Sequence, residues 1–310
     1  MPFKPTCMKA PNHEHFDAII IGVGQAGKPL ALALSKEGRK VAVVERHLVG
    51  GSCINYGCTP TKTMVASAKA AHEGRRASEY GVKVGNVQVA YTAVKKRKDK
   101  VVEQFREGVQ NGLDEAENVT LIRGEASFSG PKEIEVSLNE EGKRTLTADQ
   151  IFINTGTSAR VPDLDGLEDV EWLTSTSLLD LEELPEHLLI LGGGYIGLEF
   201  GQMYRRFGSN VTIIERGSQL LKREDKDIAD EVAAFCLFAH ALFDRRDVFL
   251  RNVTALDLVF EHEALAALTR GDLDLDAAEL TRTTRLLLVG VVHIHRLAEI
   301  FAVSHLRRTD

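Results

Sequence analysis

Ala18-Ile19-Ile20-Ile21-Gly22-Val23-Gly24-Gln25-Ala26-Gly27 is the stretch on which the fold turns. Four apolar residues in a row, without polar alternation, read as a β-strand covered on both faces. The glycines that follow have the spacing G-x-G-x-x-G. Gly22 permits a tight turn, Gly24 lets the backbone approach a pyrophosphate, and Gly27 lets a helix pack closely on the strand. A helical stretch, Lys28–Glu37, runs up to Gly38, and Val41–Val44 forms a second buried strand that ends at Glu45. The helix N-terminus offers free N–H groups and partial positive charge to phosphates, and Glu45 is placed to accept hydrogen bonds from a ribose.

The unit occurs twice. Leu188–Leu191 is a second apolar strand, Gly192-Gly193-Gly194-Tyr195-Ile196-Gly197 the turn, Leu198–Phe207 the helix and Val211–Ile214 the next strand, which ends at Glu215. In both copies the first glycine precedes the acidic residue by 23 positions. One glycine-rich turn carries little information, because such turns are common. Two, each after an apolar strand and each with a carboxylate at the ribose distance, imply an α/β chain with two dinucleotide sites.

Between the units lies Gly50-Gly51-Ser52-Cys53-Ile54-Asn55-Tyr56-Gly57-Cys58-Thr59-Pro60-Thr61-Lys62. Pro60 suits the first turn of a helix, where its missing N–H would have been unpaired, and the alanine-rich stretch Thr63–Ala71 continues that helix. Cys58 then lies at a helix N-terminus, where the dipole and free N–H groups favour thiolate. Gly57 gives the bend that brings the two sulfurs together. Spacing alone leaves half a zinc site or two buried thiols open, but a zinc site needs two further ligands and none is evident nearby. The chain has four cysteines in 310 residues, too few for a disulfide scaffold.

Gly-Gly-Ser-Cys-x-Asn-x-Gly-Cys-x-Pro-x-Lys, set between two dinucleotide folds, resembles the redox motif of the class I pyridine nucleotide-disulfide oxidoreductases, which include dihydrolipoamide dehydrogenase, glutathione reductase and mercuric reductase. The resemblance spans about Phe16 to Phe235. It implies two Rossmann-like FAD- and NAD(P)-binding domains of the three-layer ββα type, followed by an atypical or truncated C-terminal part. It also implies electron flow from NAD(P)H through FAD to a Cys53–Cys58 disulfide, and on to a small-molecule or small-protein disulfide or a metal ion. Cys53 matches the interchange thiol and Cys58 the charge-transfer thiol against the flavin. Lys62 and Glu199 match an ion pair beside the flavin ring; without the motif they read as two surface charges. Gly22, Gly24, Gly27, Glu45, Gly51 and Ser52 match the FAD site. Gly124-Glu125-Ala126 resembles a segment whose backbone meets the adenine, and Ile151–Gly156, with Thr155 and Gly156, resembles a strand end that closes the FAD domain. Asn154 stands where the family has Ala. Gly192, Gly194, Gly197 and Glu215 match the nicotinamide site, and Tyr195 an aromatic position that in some members covers it. Glu215 favours NAD over NADP by repelling a 2′-phosphate, although Arg216 and Arg223 suit NADPH.

The expected domains are a disordered tail over 1–15, the first part of the FAD domain over 16–162, the N-terminal part of the nicotinamide domain over 163–236, with Val161-Pro162-Asp163 as link, and an unassigned tail over 237–310. A helix over Val89–Leu113 has its seam at Val94, Val101, Phe105, Val109 and Leu113. Its basic run Lys95-Lys96-Arg97-Lys98 reads as a solvated face, and Val119–Leu146 alternates like short antiparallel strands. A net charge of −7 argues against a nucleic-acid partner. No apolar run reaches the length of a membrane span, and Met1–Phe16 has no apolar core for a secretory signal. A cytoplasmic enzyme is expected.

The pattern breaks after Phe235. Sixteen lysines precede position 237 and none follows; proline also disappears. The family continues with a Gly-Asp strand that returns to the flavin, then a dimerisation domain whose His-Pro…Glu segment provides the acid–base partner of the interchange thiol across a homodimer. Gly271-Asp272 follows Thr269-Arg270 rather than an apolar strand, and His293 and His295 lack the proline, so no metal or catalytic site is assigned to them. A shifted reading frame or a fusion accounts for the change in composition. The alternative to an enzyme is therefore a truncated, non-catalytic dinucleotide-binding fragment.

Overall fold

A computed structural model of the chain describes residues 13–162, 166–215, 217–241, 249–250 and 284–288. Residues 1–12, Asp163, Arg216, Gly271-Asp272, His293 and His295, named above, lie outside them. In chain order the elements begin with β1 (His13–Ile21), α1 (Gly27–Lys36), β2 (Val41–Glu45), α2 (Gly51–Asn55), α3 (Cys58–Arg76) and α4 (Tyr91–Asp114). They continue through β3 (Val119–Gly130), β4 (Glu133–Leu138) and β5 (Lys143–Ile153). Next come β6 (Trp172–Leu173), α5 (Ser175–Leu178), β7 (His187–Leu191), α6 (Tyr195–Phe207), β8 (Asn210–Ile214) and α7 (Lys226–Ala241). Two strands, β9 (Phe249–Leu250) and β10 (Thr284–Leu288), follow.

Contacts divide the chain into two compact units. One is the chain up to Pro60 with Lys98–Ser158; the other is Thr61–Arg97 with the chain from Ala159 onward. In the first, β1 runs parallel to β2 on one side and to β5 on the other, with Ile19 opposite both Ala42 and Ile151. Strand alternation splits β1 between two cores. Ala18 and Ile20 face α1 and α4, packing with Ala31, Val43, Val109 and Leu113. Ile19 faces the strands, packing with Val44, Ile134, Val136 and Leu146, and Phe16, before the interruption of the β5 pairing at Asp17, joins the same core. Helices, parallel sheet and a β-meander thus form the three layers, and both cores need the unbroken apolar run. Each such large side chain contributes roughly 1.5–3 kcal/mol on full burial.

The antiparallel reading of Val119–Leu146 holds for the pairs β3–β4 and β4–β5, but two of the three strands are not short. β3 and β5 are long, because each belongs to two sheets. Val119–Arg123 of β3 pairs in parallel with β2, and Gly124 onward pairs antiparallel with β4. β5 likewise pairs with β4 and then runs beside β1, so β1-β2-β3-β4-β5 closes on itself. A period of two is the same for either partner direction, so the sequence does not distinguish them.

The seam of α4 also differs. Val102, Val109 and Leu113 are buried, whereas Phe105 is 54% exposed. The inward position between Val102 and Val109 is taken by Arg106, whose guanidinium meets a buried partner. The basic run is not uniformly solvated either. Lys98 is buried and paired with Asp99, Lys95 with Glu182, and Arg97 donates to the Thr63 carbonyl.

In the second unit β7 pairs in parallel with β8, Ile190 opposite Ile213, and α6 crosses between them. The full order is β6-β10-β7-β8-β9, all parallel. β9 and β10 come from the stretch that the sequence leaves unassigned, and the backbone of β10 lies beside β7, Leu288 opposite Leu191. The winding reverses at β7, and in such sheets ligands bind beyond the strand ends at that switch point. The core is Leu188, Ile190, Phe200, Met203, Tyr204 and Phe207, joined by Met64, Ala68 and Tyr91 from Thr61–Arg97. Tyr204 is fully buried, and its hydroxyl is satisfied by the Leu178 carbonyl and the Tyr91 hydroxyl, each at 2.8 Å. Among the described residues no helix is long and apolar enough to cross a membrane.

The revised seam of α4 makes a direct prediction. Leu113→Ala should cost about 2–5 kcal/mol in urea unfolding, whereas Phe105→Ser should change stability by less than about 0.5 kcal/mol.

Candidate functional site

The two glycine turns are built alike. Gly22 and Gly192 hold φ of 102° and 106°, conformations that L-residues rarely adopt, and each N–H bonds the last residues of the neighbouring strand, Val44 O at 2.8 Å and Ile214 O at 2.7 Å. A Cβ at Gly27 or Gly197 would collide with the carbonyl of Gly22 or Gly192, so the helix sits as close to the turn as backbone allows. Both helices begin without a side-chain cap, leaving their first N–H groups for a ligand. The cradle therefore fits a pyrophosphate in each unit.

The carboxylates read as ribose acceptors repeat the likeness. Glu45 accepts from Val23 N and His47 N, both at 2.9 Å. Glu215 accepts from Gly193 N at 2.8 Å and Gly217 N at 2.7 Å. Each clips the strand end to the middle of its own turn. An ionised carboxylate has about four acceptor sites, so two remain for hydroxyl donors.

The first unit brings most of its sequence-derived residues to one place. Gly51 packs against Gly24 so closely that a Cβ on Gly51 would lie 2.6 Å from Gly24 Cα. Ser52 Oγ lies 3.9 Å from where a Gly156 Cβ would sit, and Thr155 N 3.5 Å from the equivalent position at Gly22. Asn154, where the family has Ala, donates through Nδ2 to Gly22 O at 3.1 Å and so ties the end of β5 to the turn. Ala126 lies farther along, on β3, opposite Val136; its neighbour Glu125 pairs with Arg46 at 2.9 Å, next to Glu45. Sequence reasoning assigned Asn154 no contact, and its standing in place of Ala was the available signal.

Cys53 is half-buried in α2 and Cys58 is exposed as the first residue of α3; both are thiols. Gly57 eases the approach, since a Cβ there would lie a tight 3.1 Å from Ser52 O, beside Cys53 Cα at 3.4 Å. A hydrogen bond to the Cys58 sulfur is the main cause that raises the Cys53 pKa above the usual thiol range. Burial and negative charge on Cys58 add to it, while the Cys58 backbone N–H opposes it. Two neighbouring sulfurs cannot both ionise readily. Cys53 therefore requires a base, or high pH, to become a nucleophile.

In the second unit Lys62, one helical turn after Cys58, forms an ion pair with Glu199 of α6. With side chains 65% and 33% exposed, the pair contributes little to stability. Tyr195, the first residue of α6, is 76% exposed, and among the described residues nothing lies within 4 Å of a Cβ built on Gly194, so that side of the turn is open to them.

Residues 16–236 match the family model described as pyridine nucleotide-disulphide oxidoreductase, and the chain belongs to that family. It is 42% identical over 221 residues to the probable pyridine nucleotide-disulfide oxidoreductase RclA of Escherichia coli, and 39% over 218 residues to a mercuric reductase of Streptomyces lividans. Each match covers 70% of this chain and 46% of the relative. The solved Cu(II) complex of the HOCl-induced flavoprotein disulfide reductase RclA from E. coli superposes with a TM-score of 0.65 at 39% identity, covering 73% of this chain and 48% of that one. The chain thus spans less than half the length of these relatives. The cofactors of the family are FAD and NAD(P)H.

Cys58→Ala removes the group that holds the Cys53 proton, so the pKa of Cys53 falls. In the reduced chain the pH midpoint of Cys53 alkylation by iodoacetamide, followed by mass spectrometry, should move down and its rate near pH 8 should rise severalfold. An unchanged or higher midpoint would contradict this.

Proposed function

We propose that this chain is the electron-relay portion of a flavin-dependent NAD(P)H:disulfide oxidoreductase, with Cys53 and Cys58 as its exchanging pair. The observation that carries the reading is that Cys53 and Cys58 lie at the turn from α2 to α3, on a segment whose Gly51 packs against Gly24 of the first glycine turn. Gly22, Gly24, Gly27, Gly51, Ser52 and Gly156 would hold the FAD, with Glu45 on its ribose, Ala126 toward the adenine and Thr155 at the strand end. Gly192, Gly194, Gly197 and Glu215 would hold the nicotinamide dinucleotide, with Tyr195 over the open side. Glu215 favours NAD, since a 2′-phosphate would meet a carboxylate. Bound FAD supplies a two-electron carrier between the nicotinamide and the sulfurs.

The chain's own residues then do the following. Deprotonated Cys53 attacks one sulfur of a substrate disulfide, forming a mixed disulfide and expelling one thiolate. Cys58 attacks the Cys53 sulfur, expels the second thiolate and closes the Cys53–Cys58 disulfide. Two electrons from NAD(P)H return the pair to the dithiol. Lys62 and Glu199 set charge beside the flavin ring. The substrate class is a small-molecule or small-protein disulfide. A thiophilic metal ion bound by the same sulfurs is the second class, favoured by the mercuric reductases among the relatives. A cytoplasmic setting, which keeps such a pair reduced between turnovers, fits the reading.

The purified chain should carry flavin, and anaerobic addition of two electrons should give a long-wavelength thiolate–flavin band that Cys58→Ser abolishes. Colourless protein that takes up no added FAD would overturn the reading in favour of a non-catalytic fragment. Glu199→Gln should leave stability within about 1 kcal/mol while slowing reduction by NADH in stopped flow, because the lost charge acts on the flavin site and not on the fold.

A further inference from the structure

Arg106 occupies the inward stripe of α4 for a reason visible at its far end. Its Nε donates to Asn55 Oδ1 at 2.9 Å, and its Nη1 donates to Glu103 at 2.6 Å. Asn55 is itself 8% exposed, and its Nδ2 donates to Val49 O and Gly51 O, both at 3.0 Å. Both amide hydrogens and the carbonyl of that side chain are thereby used.

The segment that Asn55 gathers in is bonded to the phosphate turn. Gly50 N donates to Val23 O at 2.8 Å, and Gln25 Nε2 donates to Gly50 O at 3.4 Å. Gly50 and Gly51 hold φ of 101° and 63°, and Gly51 lies against Gly24. Cys53 sits between Gly51 and Asn55 in α2, which has five residues. A helix that short does not hold its own geometry; the links at its two ends do.

We propose that Arg106 is a positioning residue. Acting through Asn55, it holds Val49–Asn55 against the phosphate turn, and so couples the affinity of that turn for its dinucleotide to the reactivity of Cys53. The proposal rests on the functional reading above for the identity of the thiol and the ligand. The thiol arm of its test does not need the ligand.

The test uses the 310-residue chain with Arg106→Met, which keeps the aliphatic stem and removes the donors, and Arg106→Lys, which returns charge and a donor. Arg106→Met should weaken FAD binding, read by quenching of flavin fluorescence, about tenfold, the scale expected for losing one charge-assisted hydrogen bond. It should also change the rate of Cys53 alkylation in the reduced, FAD-free chain at least about threefold, and Arg106→Lys should recover part of both. A lowered Tm with alkylation and FAD affinity equal to the parent would mean a merely structural role and overturns the proposal. Should Arg106→Met fail to fold, Glu103→Gln, which removes only the exposed anchor, must shift both readouts in the same direction; no shift overturns it. If the parent binds no FAD, the functional reading fails, and the alkylation arm still decides the role of Arg106.

Discussion

Two stretches of backbone meet where Gly24 and Gly51 pack together, and the chemistry proposed for the first unit depends on that approach. The phosphate turn needs Gly24 bare on one side for a ligand. Its other side is closed by the head of the cysteine segment. A side chain at Gly51 would push α2 away from the turn, carrying Cys53 with it. The hydrogen bonds from Gly50 to Val23 and from Asn55 to Val49 and Gly51 keep the approach in place. The glycine turn and the thiol segment are therefore one structure rather than two neighbouring ones.

The comparison with the second unit makes the distinction clear. Both turns use the same left-handed first glycine, the same helix-to-turn contact and the same carboxylate clip, from Glu45 or Glu215. They differ in what lies against the third position. Gly24 is walled by Gly51 and by the Asn154 amide, whereas among the described residues nothing lies within 4 Å of a Cβ built on Gly194, and Tyr195 stands exposed beside it. A walled site suits a resident group, and an open one suits a group that arrives and leaves. The segment after β8 also meets its own turn, Leu221 N donating to Gly193 O at 2.9 Å as Gly50 N does to Val23 O, but it does so at the second position of the turn and not at Gly194.

The double fold was legible because its signals are local: an apolar run, three glycines and an acidic residue at a fixed distance. The cysteine segment was legible for the same reason. What the sequence hid depends on partners distant in the chain. Alternation in Val119–Leu146 could not reveal that β3 and β5 each serve two sheets. Apolar periodicity put Phe105 inward on α4, but a hydrogen bond to Asn55, 51 positions away, puts Arg106 there instead. The charge run read as solvated contains the buried Lys98. The clustering of Thr61–Arg97 with the second unit rests on Met64, Ala68 and Tyr91, whose burial against α6 no local pattern announces.

The proposed function requires Cys53 and Cys58 to act as one couple, not as two thiols that share a segment. Equilibration of the folded chain in buffers of reduced and oxidised dithiothreitol, with acid quench and mass analysis of the peptide that spans both residues, measures this directly. The account predicts a single two-electron transition between dithiol and internal disulfide, with Cys236 reduced throughout. Independent oxidation of Cys53 and Cys58, or an internal disulfide no more stable in the folded chain than in urea, would contradict it.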